Sequence, residues 1–208
     1  MKKFLAGVGN LVKRIQYNSP VMLTYALLSF IVLIIGTVTG GASNRLLFSV
    51  YKSSWADPLG YIRLFGHALG HANWAHYAGN FLLILMVGPL LEEKYRSKIM
   101  LLVIAGIALV EGLFFAIFLN VGVMGASGVV FGLILLSSFV NYEKGRIPLT
   151  LVLAIAIYVG KEFFLEASEA VTNTTSGISH IAHIIGGIFG AILGLLLERW
   201  RDRRSIKI

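Results

Sequence analysis

The chain is divided by its apolar runs. A membrane-spanning helix needs roughly 17–25 mostly apolar residues. Six stretches approach that description: Val21 to Val38, His76 to Leu91, Ile99 to Leu119, Ser127 to Val140, Ile147 to Val159 and His180 to Leu197. The fourth and fifth are short for full spans. A short helix that starts below the surface leaves room for water above it. Composition agrees with the runs: 57% of the 208 residues are hydrophobic and 13% charged, against about 25% charged in soluble domains. The expected fold class is an all-α membrane protein, a bundle of six transmembrane helices.

The basic residues orient such a bundle, because loops rich in Lys and Arg stay in the cytoplasm. Fourteen of the 18 lie on one side: before the first run, between runs two and three, between four and five, and after the sixth. Arg45, Lys52, Arg63 and Lys161 lie on the other. Both termini are therefore expected in the cytoplasm. The net charge of +8 is explained by orientation in a bilayer, and no nucleic-acid partner is expected. With no cysteine, disulfides, thiol nucleophiles and Cys-based zinc sites are excluded. Residues 1–20 read as a cytoplasmic segment, with Phe4, Val8, Leu11, Val12 and Ile15 at the spacing of an interfacial helix. Residues 21–198 read as the six-span domain, and 199–208 as a basic cytoplasmic tail. The long loop from Gly40 to Trp74 carries Phe48, Tyr51, Trp55, Tyr61 and Phe65, so it is expected to pack on or into the outer leaflet.

Polar groups within a bilayer are expensive, and each raises a functional hypothesis. Gly125, Ala126, Ser127 and Gly128 stand where an outer loop enters the fourth run. A serine at a helix N-terminus sees oriented N–H groups that stabilise developing negative charge. The same residues serve equally as a helix-packing motif. His183 is followed by Gly186, Gly187, Gly190 and Gly194 near one helical face. A glycine stripe facing Gly128 and Gly132 would let two backbones approach and bring His183 to Ser127, which needs a base. His180, one turn earlier, is the other candidate base, and a histidine bonded to a carbonyl is the bland alternative. His76 and Asn80 share a helical face and offer side-chain donors, as an oxyanion hole requires. His67 and His71, also four apart, raise a metal site, but no Glu follows His67 as a zinc-protease helix would demand. Hydrogen bonding that ties the loop to the second run is the simpler role. Glu92 and Glu93 read as surface partners of Lys94 or Arg96. Glu111 lies inside the third run with no evident partner.

From Arg63 to Gly194 the chain resembles the rhomboid intramembrane proteases. The motifs that carry the likeness stand in the family's order: His67-Ala68-Leu69-Gly70-His71 onward to His76 and Asn80, then Gly125-Ala126-Ser127-Gly128, then Ala182-His183 with Gly186, Gly190 and Gly194. The resemblance implies a serine endopeptidase with a Ser127–His183 dyad, and an oxyanion hole from His76, Asn80 and the Ser127 N–H. It implies that Phe131 stacks on the catalytic histidine, that Glu92 takes the family's acidic position at the end of the second run and Arg63 a basic position in the long loop, that Gly125, Gly128, His67, His71 and His180 support the site, and that no metal or cofactor takes part. It also implies transmembrane segments of other proteins as substrates, in a cell (inner) membrane, with the site open to the non-cytoplasmic side. The fifth run and residues 161–177 would act as gate and cap. The alternative is a catalytically silent rhomboid-like protein that binds membrane clients.

Overall fold

The computed structural model describes residues 16–140, 146–157 and 177–205, without the side chains of 177–182 and 201–205. These residues are helical apart from turns, loops and one isolated antiparallel bridge, Val50 to Val123. The helices are α1 (Pro20–Val38), α2 (Ala42–Leu47), α3 (Pro58–Gly66), α4 (Trp74–Tyr95), α5 (Ser97–Phe118), α6 (Ser127–Ser137) and α7 (Gly177–Ser205). A further helical stretch at 149–157 falls in the fifth apolar run. Among the described residues, α1, α4, α5 and the part of α7 from His183 to Trp200 are long and apolar enough to cross a membrane. The interfacial helix expected within residues 1–15 and the gate expected at 161–177 fall outside the described residues, save Gly177 at the start of α7.

The outer faces of these helices are apolar. Leu82, Met86 and Leu90 lie four apart along α4 and are 64–65% exposed, and Leu101 and Leu102 of α5 are similarly bare. A water-facing helix would carry charges there. Several buried polar groups, by contrast, are bonded across helices. Pro20 opens α1 at a position that needs no N–H partner. The next donors, Val21 N and Met22 N, reach the Glu92 carboxylate of α4 at 3.0 and 3.1 Å, and Ser19 Oγ donates to it at 2.5 Å. A carboxylate at a helix N-terminus satisfies orphan donors and meets the positive end of the dipole. At the same end of the bundle Glu198 of α7 accepts from Tyr95 Oη at 2.6 Å and pairs with Lys94 at 2.8 Å. Lys94 also bonds the carbonyls of Phe139 and Val140 just beyond α6. Glu92 and Lys94 are therefore structural ties between helices, and the surface pairing expected of them is replaced by these contacts.

The loop between α1 and α4 is folded. Asp57 caps α3, accepting from Leu59 N at 3.0 Å. Arg63, 2% exposed, donates to Leu46 O and Ser53 Oγ, pairs with Asp57 and lies over the Tyr51 ring. A guanidinium has five donors in a fixed fork, which suits it to gathering loop carbonyls. At Gly112 of α5 a Cβ would overlap the Leu64 backbone, so this glycine lets α3 lie directly on α5.

α6 is the central helix, with Gly128, Val129, Val130, Gly132, Leu133, Leu135 and Leu136 buried. Its 11 residues span only about 16 Å. Its broadest contact is with α7, and there the glycines meet: a Cβ at Gly186 would overlap Gly128 O, and one at Gly190 would overlap the Gly132 backbone. Gly187 faces instead the end of the Leu135 side chain, at 3.2 Å. Gly190→Val is thus expected to destabilise the bundle by about 3 kcal/mol or more, since backbone cannot yield as a side chain does. Gly187→Ala should stay within about 1 kcal/mol, helped by helix propensity. Equal losses on unfolding in mixed detergent would contradict this helix register.

Candidate active site

Ser127 is the first residue of α6, after Ala126. Gly125 precedes them with φ +141°, a backbone angle that residues with a Cβ rarely adopt. Its N–H donates to His67 O at 2.9 Å, which anchors the entry of α6 to the folded loop. A side chain at Gly125 would meet the His76 ring at 2.8 Å and approach Asn80 Nδ2 at 3.9 Å. The His76 ring and the Asn80 amide therefore lie over the turn that leads into Ser127.

Asn73 begins α4 by accepting from His76 N at 2.9 Å, and this cap fixes where His76 and, one turn on, Asn80 project. Asn80 Nδ2 is 3.2 Å from His71 Nε2, and His71 Nδ1 is 3.1 Å from Leu69 O. The amide nitrogen can only donate and the carbonyl only accept. His71 is therefore assigned as the neutral Nδ1–H tautomer, with both ring nitrogens engaged. An amide nitrogen carries two hydrogens, so Asn80 keeps one for a ligand. His67, 1% exposed, bonds Ala108 O through Nε2 at 3.0 Å. His71 thus ties the loop to the second run as expected, whereas His67 ties it to the third, through Ala108 of α5.

On the other side of Ser127, α7 brings His183. Its ring centroid lies 4.6 Å from that of Phe131, with 43° between the planes. Phe131 stands one helical turn after Ser127, and His183 three residues before Gly186, which touches Gly128. His180 falls in the first turn of α7, with its side chain outside the described residues. The sequence flagged Glu111 but gave no hint of its surroundings. Its carboxyl group fills the space where a Gly128 side chain would stand, directly behind the start of α6.

Burial pushes His67 and His71 down to about 4, and for His71 the neighbouring His76 adds to the effect. Their unfolded value is about 6.5. A histidine held neutral by the fold takes up its proton more readily when unfolded, so the stability it carries is complete above pH 6.5 and is lost as the pH falls toward 4. The unfolding midpoint in detergent is expected to drop steadily from pH 7 to 4.5. A flat profile across that window would show that these rings are not buried.

The elements assembled here are a hydroxyl at a helix N-terminus, two side-chain donors over the preceding turn, and an imidazole on a neighbouring helix packed glycine to glycine. The chain is 28% identical over 140 residues to the Rhomboid-like protein 11, chloroplastic, of Arabidopsis thaliana, an alignment covering 62% of this chain. The chain spans about half the length of that curated relative, 50% of it. The model of the Rhomboid domain matches residues 58–200, from α3 through the apolar part of α7. The chain belongs to the rhomboid family.

Proposed function

We propose that the protein is an intramembrane serine endopeptidase that cleaves transmembrane segments of other membrane proteins with a Ser127–His183 dyad. The supporting observation is the α6–α7 register: Gly186 on Gly128 and Gly190 on Gly132, with the His183 ring against Phe131, one turn from Ser127. His183 would take the Ser127 proton as the hydroxyl attacks the scissile carbonyl, then pass it to the leaving amine. The Ser127 N–H, Asn80 and His76 would receive the oxyanion, where fixed donors act without reorganisation. Water would enter above the short α6. A helix hides its scissile carbonyls, so substrates with helix-breaking residues would be preferred. In this reading residues 21–198 form six spans with both termini cytoplasmic, and the site opens to the other side of a cell membrane.

The test is cleavage of a tagged single-span substrate in detergent, with covalent capture of the protein by a serine-directed fluorophosphonate. Wild type is expected to cut and to be labelled, and Ser127→Ala to do neither. Cleavage that persists in Ser127→Ala rejects the serine mechanism. A wild type that neither cuts nor labels would favour a client-binding rhomboid-like protein.

A further inference from the structure

Glu111 is a buried ionisable group that the proposed mechanism leaves unused. It is 1% exposed, and among the described residues its Oε1 has no hydrogen-bond partner. A Cβ placed at Gly128 would overlap both carboxyl oxygens, and one placed at Gly186 would meet Oε1 at 2.6 Å. α5, α6 and α7 therefore converge on this one carboxyl group. Ser127 is the residue before Gly128, and His183 lies one turn before Gly186.

We propose that Glu111 is a positioning residue: its carboxyl group, wedged against the backbones of Gly128 and Gly186, sets the spacing of α6 and α7 at which His183 serves Ser127. The inference rests on the reading of that pair as catalytic. An oxygen suits the place because helix contacts at glycine present Cα hydrogens, which an oxygen accepts weakly and a methyl group cannot. Charge is not what the place requires. Among the described residues no ion pair reaches Glu111, and an unpaired charge in the interior of a membrane bundle is costly. Glutamine, equal in length and also carrying an acceptor oxygen, is thus expected to replace it, and leucine is not.

The experiment measures kcat and KM on the single-span substrate for wild type, Glu111→Gln, Glu111→Leu and Glu111→Ala, with Ser127→Ala as the blank and an unfolding midpoint for each. Misplacement by an ångström costs up to about 100-fold in rate, so Leu and Ala should lower kcat roughly 10- to 100-fold with KM within about twofold, while Gln stays within about threefold. The Gln and Leu variants decide the matter even if Ala fails to fold. Wild-type kcat in Glu111→Leu, or a Glu111→Gln as slow as Glu111→Leu, overturns the inference. If Ser127→Ala is inactive and Glu111→Leu fully active, the positioning role alone falls. If Ser127→Ala still cuts, the protease reading falls and takes this role with it.

Discussion

Replacing Ser127 or His183 with Ala is expected to leave a folded bundle whose kcat has fallen about a thousandfold or more, and replacing both should cost little beyond either alone. The reason is that the two side chains act as one unit. A serine hydroxyl without a base is a poor nucleophile at neutral pH, and a base without its serine has nothing to activate. Neither substitution should part the two helices, because their backbones meet at Gly128, Gly132, Gly186 and Gly190, and His183→Ala gives up only the ring contact with Phe131. Unfolding midpoints near wild type are therefore part of the prediction. Asn80→Ala should cost about 100-fold in kcat, the loss typical of one oxyanion donor, and should also free His71 from its 3.2 Å partner. His180→Ala separates the two histidines of α7. Activity close to wild type assigns the base to His183. An inactive His180→Ala beside an active His183→Ala would move the base one turn along the helix and leave the class of reaction intact. Losses for Ser127→Ala and His183→Ala that multiply in the double variant would mean that the two residues act independently, which a dyad cannot do.

The parts of this protein that were legible in its sequence are those set by local periodicity. The four long apolar helices fall within a few residues of where the apolar runs place them, because run length and apolarity alone set a span. The fourth run was expected to be short, and α6 ends at Ser137. The family was legible because each of its motifs stands at short, fixed offsets along the chain. What local pattern could not reveal is pairing across long separations. Tyr95 and Glu198 are 103 residues apart, and nothing near Lys94 in sequence announces that its partner lies on α7. Glu111 was visible as an anomaly, yet its meaning depends on Gly128 and Gly186, which come from two other helices. The loop was expected to pack on or into the outer leaflet, and within the protein it folds against α5 through Leu64 and Gly112. Its organiser, Arg63, was expected only as a basic loop position, because its acceptors are loop oxygens rather than an evident acidic run.

Glu92 shows how far a residue's role can lie from its sequence neighbours. Beside Glu93, Lys94 and Arg96 it reads as half of a surface ion pair, worth at most about 1 kcal/mol. In the fold it is 5% exposed and accepts from Ser19 Oγ, Val21 N and Met22 N, 70–73 residues away. Glu92→Ala strands those donors at a buried helix start, and each such donor costs about 1–3 kcal/mol when left without an acceptor. The expected loss in unfolding free energy is therefore about 3–5 kcal/mol, the range for breaking a buried charged contact. Glu92→Gln keeps one acceptor oxygen but turns an amide nitrogen toward donors, so it should fall between Ala and wild type. Glu93→Ala, at an exposed neighbouring position, should change stability by no more than about 0.5 kcal/mol. Detergent unfolding of the three variants against wild type gives the answer. A Glu92→Ala protein as stable as Glu93→Ala would mean that α1 does not depend on α4 for its first turn. A large loss confined to Glu92 would mean that the first helix of the bundle is held at its start by a carboxylate from the fourth.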